Sequence, residues 1–260
     1  MIPNYLKPYH TNFSNLIRLG RKYDGGYVID KRVIAKTRTI ITCGLEAEWS
    51  FEKEFQKNNK DCKILAFDHT VNKKFWIDRF FNDFTSLLLL KKIKPYQILD
   101  VFKYIDYLNF FSRNNKHYLK KIVSKKKHKS NQITITEAIG NNKDILLKID
   151  IEGDEYEVLK EIDKHYNKLN LVIIEFHNLK KNLKKIKDFI KKTKLKNIHI
   201  NANNYGIVDV NGMPQVIEMT FINPNKFKIK NNKTKRNYPI EGLDFKNHKR
   251  GPDLKIIFEK

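Results

Sequence analysis

The sequence predicts a doubly wound α/β fold: a mostly parallel sheet covered by helices, with its last strand reversed. Three observations predict it. Short β-like runs alternate with helical patterns five times, the succession that a parallel sheet with crossover helices requires. The last two β-like runs, "KNIHINAN" and "QVIEMTFI", are joined across "GMP", as an antiparallel pair at a sheet edge would be. No solenoid-length repeat and no Pro/Gly/Ser linker interrupts the 260 residues, so 1–260 is expected to be one domain.

Taken in order, "DGGYVI" (24–29) is a turn leading into a short strand. Its paired glycines Gly25 and Gly26 permit positive φ or close backbone approach to a ligand. "TRTIITCG" (37–44) is the first strand of the main sheet. "EWSFEKEFQKNN" is helical, with Ser50 placed to cap it and Phe51 and Phe55 four apart. "CKILAFD" (62–68) is the second strand. Trp76, Phe80, Phe84, Leu87 and Leu88 then fall on one face of a long helix. Pro95 suits the first turn of another helix, carrying Ile98, Leu99, Phe102, Ile105 and Leu108. These two helices make a helical insertion around 71–115. With the basic loop that follows, 71–130 is a candidate lid. "HYLKKIVSK" (117–125) predicts a third strand, "DILLKID" (144–150) a fourth and "LNLVIIEFH" (169–177) a fifth. Helices are expected over 154–166 and 180–193, and a short strand at "LKIIF".

Composition excludes several classes. The longest strictly apolar runs are four residues, far short of a membrane span, and two cysteines make neither a disulfide framework nor a metal cluster. The polar, proline-broken opening "MIPNYLKPYHTNF" carries no secretory signal, so a reducing, cytoplasmic location is expected. The net charge of +23 is the footprint of a nucleic-acid binder or of a protein that docks on an anionic surface. Yet only eight of the 52 basic residues are arginine, the preferred reader of phosphate and guanine. A solvated lysine surface accounts for most of the charge, and nucleic acid is not the expected partner.

In doubly wound sheets ligands bind outside the carboxyl ends of the strands. Those ends here collect Gly44, Asp68, Asp150, Glu152, Glu175 and His177 in one crevice. Gly44 ends a strand in a turn that brings backbone close to a ligand. Glu46 and Glu48 in that turn oppose a pyrophosphate and tolerate a cationic centre. Asp68, 24 residues after Gly44, is placed to accept ribose hydroxyls, so the two together point to an adenosine-containing cofactor. In "LLKIDIEGDEYEVL" (146–159), Gly153 allows the turn from strand to helix. Asp154, Glu155 and Glu157 are explained by the positive end of the helix dipole. Asp150 and Glu152 are not: two apart on a strand terminus, they point to one side and could hold a cation, accept from hydroxyls or act as base. His177 would lie beside them, its basicity raised and its tautomer fixed. "HINANNYG" gathers His199, Asn203 and Asn204, amides suited to sugar hydroxyls or to the geometry of a polar loop.

"LLKIDIEGDEYEVL", with "DGGYVI", "TCGLEAEWSFE", "ILAFD", "IEFH", "HINANNYG" and "MPQVIEMTFI" in order around it, resembles the FkbM-type S-adenosylmethionine-dependent methyltransferases. The resemblance runs from about residue 16 to 223. It implies a seven-stranded, Rossmann-like class I methyltransferase fold and methyl transfer to oxygen, most often of sugars or polyketide-type hydroxyls. It implies that Gly44, Glu46 and Asp68 hold S-adenosylmethionine, and that Asp150 and Glu152 border the methyl-transfer site. Gly25, Gly26 and Ser50 join the cofactor side, and His199, Asn203 and Asn204 the acceptor side. The acceptor is then a hydroxyl-bearing sugar or glycan, with the basic surface available to an anionic one.

On this reading His177 or Asp150 takes the proton of the attacking hydroxyl and Glu152 orients it. No metal is assigned. A rival within methyl transfer places a divalent ion among Asp150, Glu152 and His177. The alternative from another class is an RNA-binding protein or RNA methyltransferase using the lysine-rich surface, although no RNA-recognition signature is present.

Overall fold

The computed structural model describes residues 1–88, 102–124, 129–209 and 212–259. Strands β1 (Leu16–Gly20) and β2 (Gly26–Asp30) form an antiparallel hairpin. The main sheet takes β3 (Thr39–Cys43), β4 (Lys63–Phe67) and β5 (Lys116–Tyr118). It also takes β8 (Ile145–Ile149), β9 (Leu169–Phe176), β10 (Lys196–Val208) and β11 (Pro214–Ile222). Strands β6 (Lys121–Ile122) and β7 (Gln132–Ile133) pair apart from it.

The seven strands lie in the order β10-β11-β9-β8-β3-β4-β5. All are parallel except β11, which runs antiparallel to both β9 and β10. This seven-stranded mixed sheet with flanking helices is the class I, Rossmann-like methyltransferase architecture. β3, β8 and β9 are buried along their whole length, as the middle of a sheet covered on both faces must be. Among the described residues no helix is long and apolar enough to cross a membrane.

Helices α1 (Ser50–Asn58) and α5 (Glu155–Lys164) follow β3 and β8 directly. Helix α4 (Ile135–Ile139) opens on a capping box, Thr134 with Glu137. Helix α6 (Leu179–Lys192) buries Leu179, Ile186 and Phe189 and turns Lys180, Lys181, Lys184, Lys187 and Lys191 to solvent. Part of the large positive charge is therefore one solvated helix face.

The insertion holds α2 (Lys73–Leu88) and α3 (Lys103–Phe110). They cover the loop after β3 with rings: Trp49 meets Trp76, Tyr107 and Phe111 edge-on, and its indole donates to Asp106 at 3.0 Å. The inward face expected of Ile105 and Leu108 is turned outward, 54% and 51% exposed, because α3 presents Tyr107 and Phe110 to this cluster instead. The helix start expected at Pro95, with Ile98 and Leu99, and most of the lysine loop lie outside the described residues. So do the side chains expected inward at Phe80, Phe84, Leu87 and Leu88.

Three further expectations are corrected. The strand expected over 117–125 stops at Tyr118, and Lys121–Ile122 turns away to pair with β7. Ser50 does not cap α1: it is the first helical residue, and its amide is taken by Glu48 Oε1 at 2.9 Å. The strand expected at "LKIIF" is reduced to isolated bridges, Ile256 to Tyr238 and Phe258 to Ile2.

Candidate active site

The carboxyl ends of β3, β4 and β8 open on a cavity of about 230 Å³ lined by Gly44, Glu46, Asp68, Asp150 and Glu152. Gly44 has φ +84°, and a Cβ there would stand 1.6 Å from the Asp150 carbonyl oxygen. Only glycine lets the ends of β3 and β8 close to this distance. Both neighbouring strands are tied to it, since Gly44 N donates to the Phe67 carbonyl and Asp150 N to the Cys43 carbonyl.

Asp68 fixes the loop that leaves Gly44. Its Oδ2 accepts from the amides of Leu45 and Glu46 at 2.8 and 3.1 Å, and its Oδ1 from the Thr70 amide and hydroxyl. Burial alone would raise its pKa, but these donors outweigh it and hold the carboxylate below its usual range. Asp68 thus shapes the loop after β3 as well as facing the cavity. Asp68→Asn removes the charge that organises two backbone amides, worth about 1.5–3 kcal/mol. The expected result is roughly ten- to hundredfold weaker S-adenosylhomocysteine binding by calorimetry. Unchanged affinity would show the loop to be independent of Asp68.

Glu46 sits at the cavity rim with its carboxyl pushed up to about 8, first by the hydrogen bond it shares with Glu152, then by burial and by the charge of Asp150. The Glu46 carboxyl is thus largely protonated at neutral pH. A cationic ligand placed here favours the ionised form, so binding expels that proton. Titration of S-adenosylmethionine at pH 7 in phosphate and in Tris should give heats that differ by up to about one proton's transfer. In Glu46→Gln the difference should vanish; equal heats for the parent enzyme would rule out a proton released from Glu46.

On the far side of Asp150 stands His177, at the end of β9. Its Nδ1 and its amide both donate to Glu155 Oε1, at 3.3 and 2.6 Å, and Tyr156 donates its hydroxyl to the His177 carbonyl. Its Nε2 faces Glu152 Oε2 at 3.5 Å, Glu175 Oε1 at 3.6 Å and Asp150 Oδ1 at 3.9 Å. Burial works against a charged ring, but the Glu155 hydrogen bond and the charges of Asp150, Glu155 and Glu152 prevail, and its pKa stands above the ordinary 6.5. Asp150 is raised from 3.8 to about 6, chiefly by burial, with Lys148 and His177 pulling the other way. Burial also lifts Glu175 well above its usual value, and Asp150 and Glu218 lift it further.

The remaining sequence-derived residues are placed as follows. Gly25, Gly26 and Ser50 do not line the cavity. They pack the β1–β2 hairpin on α1, with the Ser50 hydroxyl against the Gly25 carbonyl and no room for a Cβ on Gly25 beside Glu48. Asn203 stands behind the acids, donating to Glu175 Oε1 at 2.9 Å. Asn204 instead ties down the C-terminal segment through His248 and Pro252. His199 is buried against Asp244, 2.9 Å from its Oδ1, and against the Tyr238 ring. It lies four residues before Asn203, about 13 Å along an extended strand, and so misses the crevice.

Sequence reasoning passed over Glu155, whose place in the first turn of α5 was sufficiently explained by the helix dipole. Its side chain is fully buried and holds His177 instead. Asp24 and Glu218, which add to the negative field, lie on the hairpin turn and on β11, far from the motif in sequence.

The family model described as "Methyltransferase FkbM domain" matches residues 103–195. This region belongs to the FkbM methyltransferase family. The match spans Asp150, Glu152, Glu155, Glu175 and His177, whereas Gly44 and Asp68 precede it. The match over this region supports S-adenosylmethionine-dependent methyltransferase activity. The acid-rich donor set fits that cofactor, which carries a sulfonium and an ammonium. Among solved structures, similarity extends to precorrin-6y C5,15-methyltransferase from Geobacter metallireducens, at 13% identity and TM-score 0.38 over 74% of this chain and 87% of that one. It extends also to M. jannaschii TYW2 in complex with AdoMet, at 11% identity and TM-score 0.32 over 86% and 89%. No curated protein matches the chain.

Proposed function

We propose that this FkbM-family enzyme methylates a hydroxyl oxygen of a sugar or glycan, with Gly44, Glu46 and Asp68 on the cofactor side and Asp150, Glu152 and His177 on the acceptor side. The observation that carries this is the position of the carboxylate–imidazole cluster. Its Asp150 and Glu152 line the cavity and His177 stands against them, so a hydroxyl held there would face a methyl donor bound in that cavity. S-adenosylmethionine supplies a methyl already activated by its sulfonium, so the O–CH3 bond forms as the S–CH3 bond breaks and its electron pair returns to sulfur. The chain must then hold the oxygen in line and receive its proton.

The Asp150–Glu152 pair is suited to that proton. Asp150, at about 6, is ionised at neutral pH yet more basic than an ordinary aspartate. His177, held by Glu155, fixes the far wall. Asn203 sets the orientation of Glu175, and an amide there suits a polyhydroxyl ligand. So many acids reject an anion at the reacting centre. A phosphate or carboxylate on the acceptor would lie instead toward Lys120, which also lines the cavity.

A screen of oligosaccharides and sugar nucleotides with methyl-labelled S-adenosylmethionine tests this. Label is expected in a product stable to mild base, as a methyl ether is. Label confined to RNA, or to a base-labile ester, would overturn it.

A further inference from the structure

Where β8 and β9 end, three side chains converge without bonding to one another. Asp150, Glu175 and His177 each offer an atom within 4.8 Å of the others'. Around a six-coordinate divalent cation of the magnesium class, neighbouring ligand atoms stand about 3 Å apart and opposite ones about 4 Å. The separations of 3.6 and 3.9 Å from His177 Nε2 to Glu175 and Asp150 lie between these two values, close enough for side-chain rotation to bring all three onto one ion.

Three further features prepare these groups for an ion. Asp150 Oδ1 is sealed from solvent and has no hydrogen-bond partner among the described residues. His177 donates its Nδ1–H to the carboxylate of the fully buried Glu155, so in the neutral ring the Nε2 lone pair points at the gap, as outer-shell carboxylates arrange for ligating histidines. Glu175, only 6% exposed, is oriented by the Asn203 amide. The local charge is unbalanced: Glu152, Asp24 and Glu218 add to the field, while the buried ammonium of Lys148 is drawn to Glu52 at 3.4 Å.

We propose that Asp150, Glu175 and His177 bind one divalent cation, of the Mg²⁺ or Mn²⁺ class, that chelates two adjacent oxygens of the acceptor. This rests on the acceptor-side reading given above and names its substrate class more closely: a vicinal diol, or a hydroxyl beside another oxygen. Three protein ligands leave three positions of an octahedron open, enough for both oxygens and one water. Coordination acidifies the hydroxyl, its proton passes to Glu152, and the oxygen forms the O–CH3 bond as the S–CH3 bond breaks.

Chelator-stripped enzyme titrated with Mn²⁺ and followed by electron paramagnetic resonance should bind one ion per chain saturably. Glu175→Gln and His177→Gln should each weaken that binding at least tenfold, with S-adenosylhomocysteine titrations reporting whether the variants remain folded. Spin-echo modulation from a directly coordinated imidazole nitrogen should appear in the parent enzyme, so the test survives if both variants misfold. No saturable Mn²⁺ binding, binding equal in both folded variants, or no nitrogen modulation would overturn the proposal. If Mn²⁺ fails to bind while S-adenosylhomocysteine binds, the ion falls and the cofactor assignment stands. The reverse result retains the ion and removes the cofactor assignment.

Discussion

Asp150→Asn should lower methyl transfer by two to four orders of magnitude while the protein stays folded and still binds S-adenosylhomocysteine. Asparagine keeps the shape of the side chain at the end of β8 but removes the charge that faces His177 and the cavity. The fold does not depend on that charge, because among the described residues the Asp150 side chain accepts only a 3.5 Å hydrogen bond, from Tyr27. The β3–β8 junction is made by its backbone. The parent enzyme should lose activity in acid for the same reason. With its carboxyl at about 6, Asp150 is protonated at lower pH and can neither take a proton nor act as an anion. Turnover at pH 5 should fall roughly tenfold below that at pH 7, assayed with an acceptor from the carbohydrate screen. Near-normal turnover by Asp150→Asn would remove it from the chemistry altogether.

Gly44→Ala should be the most damaging single-atom addition near the cavity. The added carbon meets the Asp150 carbonyl carbon at 2.7 Å as well as its oxygen, and the backbone has φ +84°. The left-handed backbone costs about 1–2 kcal/mol and forced overpacking about 1–3 kcal/mol. A chain of this size then melts roughly 5–15 °C lower. Cofactor affinity should go with it, because the displaced strand ends carry Glu46 and Asp150. Gly242→Ala is the control: its φ is +78°, but open space surrounds the new carbon. It isolates the backbone term, and its melting point should fall by only a few degrees. Equal losses in the two variants would mean that the approach of β3 to β8 is not tight.

The sheet was legible because its central strands are largely apolar on both faces and then stop abruptly at Gly44, Asp68, Asp150 and His177. A buried strand can end in charge only where a crevice receives it. The cavity therefore gathers residues that the sequence had already singled out. Residues with two adequate explanations were harder. Glu155 satisfied the helix-dipole rule, and nothing in a linear pattern shows that a first-turn glutamate is fully buried against a histidine. The asparagines of β10 were harder for a different reason. His199, Asn201 and Asn203 do share a face, but that face is covered by the hairpin and the C-terminal segment: His199 meets Asp244, Asn201 donates to Glu218, and Asn203 donates to Glu175 beside His177. Which members of a polar stripe meet the site depends on distance along the strand and on what covers it. The outward turn of Ile105 and Leu108 has the same origin, since periodicity marks an apolar face but not the neighbour that claims it.

The reversed β11 has a consequence for synthesis on the ribosome. It lies between β9 and β10 although it is made after both, so the outer edge of β9 waits for Pro214–Ile222 to emerge. Until then Glu175 lacks the cross-strand neighbour Glu218, and β10 has no sheet to join. A nascent chain stalled before residue 214 can assemble the glycine loop and the Asp150 strand, yet it carries an open edge beside its most acidic groups. Pairing across so many residues is slow, which makes this half-built edge the point at which holdase chaperones would engage the growing polypeptide.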